Sequence, residues 1–314
     1  MKRVIVTGAN GFVGSNIVSA LAQGGWQVCA LDREFDNPAV ATWNQNRVER
    51  VRAHCADMPA MPADALVHAA FVTATPEDRG ESPEDNLRAN IEPLLQVMEY
   101  AEAGGIHRCV FISSNAVFRQ TPATLVDEMR PPDPLGVYGV AKTLMERMVD
   151  TLRHLHGRDI VCARLGAVYG SYEYRRSSRP KLSMVGQMMQ DALSKGEIVV
   201  STPAELRQWT LAADIGRAIA ALLSAESLNH SLYNLASGER LSDLAVARMI
   251  QGLVEGVRLS LPSGYESPAR SPEKLGWLDN SRLRRDTDFD DWTAMSQDAL
   301  ARALTSLAGQ SRDA

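Results

Sequence analysis

Short apolar runs along the chain alternate with longer stretches in which apolar residues recur every three or four positions. The runs fall at 3–7, 27–31, 48–53, 65–69, 108–113 and 159–164, and the longer stretches near 12–23, 84–103 and 135–156. Runs of this length read as strands, and the three-to-four spacing reads as helix with one buried face. Strand and helix in steady alternation predict a parallel sheet covered by helices on both faces. Right-handed crossovers then bring every strand's C-terminal end to one edge. Gly8, Asp32, Asp57, His68, Ser114 and Gly166 would share that edge, where open α/β sheets bind their ligands.

Beyond Gly170 the alternation breaks. The stretch 171–181, SYEYRRSSRPK, is polar and strongly basic, and a Met-rich helix follows near 183–195. A strand at 209–212 and a helix at 214–223 predict a return to the first domain, with 232–235 as its last strand. Ser242 reads as the N-cap of a further helix over 242–253. The tail 262–277 is rich in Pro, Gly and Ser, and 278–289 is highly charged. The expected architecture is a Rossmann-type doubly wound α/β domain over 1–170, with return segments at about 209–236. A smaller α/β substrate-binding lobe would come from 171–208 and 237–314.

The first run ends in glycines at 8, 11 and 14 and leads directly into helical periodicity. Gly8 suits a tight turn, Gly11 a close backbone approach to a pyrophosphate, and Gly14 close packing of helix on strand. The helix dipole favours the anion. Asp32 ends the second run 18 residues past Gly14, about where a dinucleotide-binding unit carries its ribose-binding acid.

The motif Thr7-Gly8-x-x-Gly11-x-x-Gly14 resembles the short-chain dehydrogenase/reductase superfamily, and that resemblance demands a Tyr-x-x-x-Lys pair and an upstream serine. Tyr138 and Lys142 form the one such pair in the chain, and Ser114 ends a clean strand 24 residues before Tyr138. Looser segments, Arg164-Leu165-Gly166-Ala167-Val168-Tyr169-Gly170 and Arg207-Gln208-Trp209 among them, extend the likeness to the NAD-dependent epimerase/dehydratase family over residues 1 to about 305. The resemblance implies catalytic Ser114, Tyr138 and Lys142. It implies NAD held by Gly8, Asn10, Gly11, Phe12, Val13, Gly14, Asp32, Arg33, Asp57, Ala69, Ala70, Tyr138, Lys142 and Gly166. Substrate contacts are expected from Ser114, Asn115, Arg175, Arg176, Arg179 and Arg207.

The chemistry explains the residue types. Ionising a phenol at pH 7 costs about 4 kcal/mol, and an ammonium about 4 Å away offers roughly 4 kcal/mol at an effective dielectric of 20. One helical turn puts Tyr138 and Lys142 on one face. Tyr138 then takes a hydroxyl proton as hydride leaves the same carbon for the cofactor, with Ser114 orienting the oxygen. Asp32 favours NAD over NADP, although the neighbouring Arg33 offers a partner for a 2′-phosphate.

Family dehydratases carry an Asp-Glu pair after the active serine or threonine; here Asn115 and Ala116 disfavour dehydration. Many nucleotide-sugar epimerases have an asparagine where this chain has Ala167. Ser-Ser-Asn also resembles the uronate dehydrogenases, and Ala-Val-Phe the erythronate-type dehydrogenases. The implied activity is hydride transfer at a carbohydrate carbinol, as epimerase or dehydrogenase. A reductase of non-sugar carbonyls and a non-catalytic dinucleotide sensor stay open as alternatives.

Composition narrows the partners. The 314 residues are 45% apolar, enough for a large core, and the net charge of −5 argues against nucleic acid or an anionic membrane. No apolar run reaches the 18 or so residues of a spanning helix, and the first strand leaves no room for a signal peptide, so a cytoplasmic protein is expected. Cys29, Cys55, Cys109 and Cys162 read as small buried apolar residues, and His68 as a strand-end histidine with its hydrogen bonds made. No metal site is indicated. The helices near 84–103 and 135–156 correspond to those that pair subunits in the family, which implies a homodimer; Leu94, Leu95, Met98, Leu144 and Met148 would be its apolar residues or core.

Overall fold

The computed structural model describes residues 2–119, 125–263, 265 and 277–310. Most of the Pro/Gly/Ser-rich tail, namely 264 and 266–276, lies outside the described residues. The first six runs form strands β1 (Arg3–Thr7), β2 (Gln27–Asp32), β3 (Val48–Arg52), β4 (Ala65–His68), β5 (Arg108–Ser114) and β6 (Ile160–Leu165). Between them lie α1 (Phe12–Gln23), α2 (Pro83–Ala103) and α3 (Val137–His156). Then come β7 (Ala167–Tyr169), α4 (Met184–Lys195), β8 (Leu206–Leu211), α5 (Ala212–Ser224), β9 (Leu232–Leu235), β10 (Arg240–Ser242), α6 (Asp243–Gln251) and α7 (Gln297–Gln310).

Among the described residues, seven parallel strands make the main sheet in the order β9-β6-β5-β4-β1-β2-β3. Chain order reverses between β1 and β4, so a crevice opens there beyond the strands' C-terminal ends, as in a Rossmann-type doubly wound fold. Alternate strand residues serve opposite layers. Val4, Val6, Val110 and Ile112 join Ile17, Leu21, Ile215 and Ile219 of α1 and α5 on one face. Ile5, Cys109 and Phe111 meet Leu94, Met98, Met145 and Val149 of α2 and α3 on the other. Each such side chain contributes about 1.5–3 kcal/mol on full burial, which makes the sheet a rigid base for its loops. The four cysteines are free and buried. Burial pushes the thiols of Cys29 and Cys55 up to about 11 and that of Cys109 to about 12, so they pack as apolar groups.

One of the return segments stays out of the main sheet. The strand predicted at 209–212 forms as β8, but it pairs parallel with β7 and antiparallel with β10, in a separate three-stranded sheet. The edge beside β6 is taken by β9, whose Leu232–Leu235 pair with Cys162–Leu165. Only α5 returns, packing along α1. The smaller sheet has its own core, in which Met188 and Met189 of the Met-rich helix meet Trp209, Ile250 and Leu300. Ser183 and Ser242 cap α4 and α6, each accepting a backbone N–H at 3.1 Å.

Candidate active site

β1 runs straight into the glycine turn. Gly8 adopts φ +68°, and a Cβ there would lie 2.5 Å from the Ala70 nitrogen; a Cβ on Gly14 would lie 2.0 Å from the Gly8 oxygen. Neither position admits a side chain, so the turn closes against its neighbours and leaves the N-terminus of α1 facing the edge. Gly11 is the N-cap of α1, Phe12 is buried, and Val13 packs on the core.

Asp32, at the end of β2, accepts hydrogen bonds from the backbone of Asn10 (3.0 Å) and of Arg33 (2.8 Å). Asn10 is buried and braces this corner: its Nδ2 donates to Asp36 at 2.6 Å and its Oδ1 accepts from the Asn37 N–H at 3.0 Å. A cavity of about 530 Å³ runs along the edge, walled by Gly8, Gly11, Asp32, Arg33, Asp57, Ala69 and Ala70. A turn closed to any Cβ, a helix N-terminus and an acid at the ribose position together fit an adenine dinucleotide.

β5, β6 and α3 build the other half of the site. Ser114 accepts the Ala116 N–H at 3.2 Å and is hydrogen-bonded to the Tyr138 phenol. Gly139 makes that approach possible, because a Cβ there would lie 2.3 Å from the Ala116 oxygen. Sequence reasoning missed this glycine, although its place between the tyrosine and the lysine was a usable signal. Burial raises the Tyr138 phenol above its ordinary value, while Ser114 and the cation of Arg179 favour the phenolate.

One turn on, buried Lys142 donates to the Ile112 carbonyl at 2.6 Å, and its nitrogen lies 3.3 Å from the centre of the Phe71 ring. Burial lowers the ammonium to about 7 against the opposing pull of Cys162 and Glu146. Phe71 also meets the Tyr138 ring edge-on, with centroids 5.7 Å apart, and so covers both residues. Behind them Glu146 accepts from Ser113 Oγ at 2.6 Å and from Arg164 at 3.0 and 2.7 Å, in a network closed to solvent. Phe71 and Glu146 were not singled out from the sequence, and Arg164 entered only as part of a family-like segment. His68 Nδ1 lies 2.8 Å from Thr7 Oγ1, and burial, with Lys142 nearby, takes the ring down to about 3, so it is neutral. Its Nε2 has no partner, so the expectation of a fully satisfied histidine holds for one ring nitrogen only.

The arginines expected to hold substrate do not converge. Arg175 is bonded to the Pro180 carbonyl and to Gln187 and Gln190 of α4. Arg207 pairs with Asp243 at 2.9 Å and Glu205 at 2.8 Å, outside the cavity wall. Arg176 points to the acids around Asp32. Arg179, held by buried Glu173 at 2.6 Å and lying over the Phe12 ring, is the one whose charge still reaches Tyr138. Distant acids claimed Arg176 and, through Asp243, Arg207, whereas Arg175 is held by uncharged oxygens and Arg179 by Glu173 six residues before it. Asn115 is exposed on the short turn after Ser114, and Gly166 follows β6 against Ala236. Among the described residues no cluster of three His, Cys, Asp or Glu side chains is arranged to hold a metal, and no helix is long and apolar enough to cross a membrane.

Known proteins share these features. The NAD dependent epimerase/dehydratase family matches residues 4–236. A dTDP-4-dehydro-6-deoxy-D-allose reductase from Streptomyces sp is 28% identical, over 92% of this chain and 91% of its own. A UDP-glucose 4-epimerase from Neisseria meningitidis serogroup C is 23% identical, over 94% and 98%. The fold matches that of UDP-glucuronic acid 4-epimerase from Bacillus cereus, solved with NAD, at a TM-score of 0.81, 21% identity and coverage of 98% and 99%. The turn, the acid after β2 and a family match spanning the main sheet lead to one conclusion: the chain belongs to the NAD dependent epimerase/dehydratase family and is an NAD-dependent enzyme of the extended short-chain dehydrogenase type.

Proposed function

We propose that the protein oxidises a carbinol of a carbohydrate substrate, a sugar, sugar acid or nucleotide sugar, as an epimerase or a dehydrogenase. The observation that carries this is the Ser114–Tyr138 contact with Lys142 one turn along α3. NAD, held along Gly8, Gly11, Gly14 and Asp32, supplies the hydride acceptor. Ser114 orients the substrate oxygen and Tyr138 accepts its proton. Ser114 and Arg179 favour the phenolate, and Lys142, whose nitrogen lies 5.6 Å from the centre of the Tyr138 ring, adds to this when it is protonated.

Asn115 and Ala116 stand where family dehydratases carry acids, which supports oxidation without loss of water. The relatives named for dTDP- and UDP-sugars support a carbohydrate over a non-sugar carbonyl. The intact trio argues against a silent dinucleotide sensor. We further propose a homodimer through α2 and α3, where Leu95, Val140 and Leu144 are about 40% exposed.

The test is a panel of dTDP-sugars, UDP-sugars, uronates and aldonates incubated with NAD, followed by NADH absorbance and by NMR of the sugar. Turnover of one class is the expected result, with NADH accumulating for a dehydrogenase and inversion without NADH for an epimerase. Turnover of simple ketones with NADH but of no carbohydrate would overturn the proposal.

A further inference from the structure

The basic stretch 171–181 crosses the mouth of the dinucleotide cavity and is bonded to both of its banks. On the Asp32 side, Asn37 Nδ2 donates to the Tyr172 carbonyl at 3.1 Å, and the Tyr174 hydroxyl donates to Asp36 at 2.6 Å. On the β4 side, the Ser178 carbonyl accepts from the N–H groups of Thr73 (2.9 Å) and Ala74 (3.1 Å) and from Thr73 Oγ1 (3.2 Å). Lys181 pairs with Asp78 at 3.0 Å on the same bank. Arg176 and Ser178 help wall the cavity that Gly8, Gly11 and Asp32 line.

Arg176 occupies a particular place in this strap. Its guanidinium lies 3.9 Å from Asp32, 3.4 Å from Glu34 and 3.8 Å from Asp36, and its side chain is 14% exposed. Charge-assisted hydrogen bonds normally close to about 2.7–2.9 Å, so the guanidinium is surrounded by carboxylates without forming a tight bidentate pair with any of them. Three acids surround the guanidinium, which has five N–H donors, and the residue lines the cavity that fits a diphosphate-linked dinucleotide.

We propose that Arg176 is a cofactor-binding residue, which holds the adenosine half of NAD opposite Asp32, and that the segment around it, 172–178, is a strap over the cofactor. This departs from the expectation that the basic loop binds substrate, and it rests on the NAD site alone, independent of the catalytic roles of Ser114, Tyr138 and Lys142. The acids keep the guanidinium from paying a large desolvation penalty when the strap lies closed, and bound NAD adds oxygen acceptors where the arginine has donors to spare.

Calorimetric titration of NAD and of ADP-ribose into wild type, Arg176→Gln and Thr73→Val tests this. Arg176→Gln should weaken both ligands at least about tenfold, the worth of one charge-assisted contact. Thr73→Val removes only a side-chain hydrogen bond from the opposite bank, so it keeps the test available should Arg176→Gln fail to fold; it should weaken both ligands in the same direction by a smaller factor. NAD should also slow tryptic cleavage after exposed Arg175 in the wild type. Unchanged affinity for NAD and ADP-ribose in the folded variants, or no protection of Arg175 by NAD, would overturn the proposal.

Discussion

The side-chain nitrogen of Lys142 lies 3.3 Å from the centre of the Phe71 ring, beneath the same ring that meets Tyr138 edge-on. Burial here lowers the lysine to about 7, whereas an unfolded chain holds its proton to about 10.4. Between those values the unfolded state binds more protons, so this group opposes folding on the acid side and the opposition fades as pH rises. Lys142→Met should therefore stabilise the cofactor-free protein at pH near 6 and lose that advantage by pH near 10, changing by up to about 1.4 kcal/mol per pH unit through the window. Thermal melts of both proteins across this range check the sign; a difference that does not vary with pH would contradict it.

Glu146 neutralises Arg164 where neither meets solvent. Removing one partner of such a pair leaves an uncompensated buried charge, which costs about 3–5 kcal/mol. Glu146→Gln should lose that much in urea unfolding, and Glu146→Gln combined with Arg164→Met should recover much of it. A loss below about 1 kcal/mol for the single variant would show that the charge finds another partner.

Asp32 should set cofactor choice. NADP would bring a phosphate dianion against this carboxylate, and Arg33 beside it offsets only part of the repulsion. The wild type should prefer NAD at least about tenfold, or 1.4 kcal/mol, and Asp32→Ala should shrink or reverse the preference, because the repelling carboxylate is gone while Arg33 and Arg176 remain beside the site. Calorimetry with both cofactors decides it, and equal affinities in the wild type would mean that the arginines beside Asp32, Arg33 and Arg176, outweigh its carboxylate.

Leu94 and Met98 are core, but Leu95 and Leu144 remain 42% and 41% exposed on neighbouring helices. Sedimentation at micromolar concentration should give twice the chain mass of 34.3 kDa. Leu95→Glu with Leu144→Glu should return the monomer, since two charges on that face oppose its burial. A wild-type mass near that of one chain would remove these helices as an interface.

The main sheet was legible because parallel strands buried on both faces leave apolar runs that glycine turns punctuate, as β1 and its Gly8 do. Ser114, Tyr138 and Lys142 were legible through spacing, since a strand end and one helical turn fix where they stand. The fate of the arginines was not, because Arg176 meets Asp36 across 140 residues and a local window holds no trace of that acid. The place of β8 outside the main sheet was not legible for a related reason: its partners β7 and β10 are three residues each, and competition with β9 for the β6 edge is decided only in three dimensions. Phe71 reads as one more apolar residue until its contact with Lys142 is seen.

The central claim is that the Tyr138 phenol takes the substrate proton. Tyr138→Phe removes one oxygen and leaves the glycine turn, Asp32 and Lys142 in place. Turnover of the carbohydrate found by the substrate panel should fall by at least about a hundredfold, the usual worth of a positioned proton acceptor. NAD affinity by calorimetry should stay within about threefold of the wild type, under 1 kcal/mol. Turnover within about tenfold of the wild type, with the cofactor still bound, would contradict the assignment.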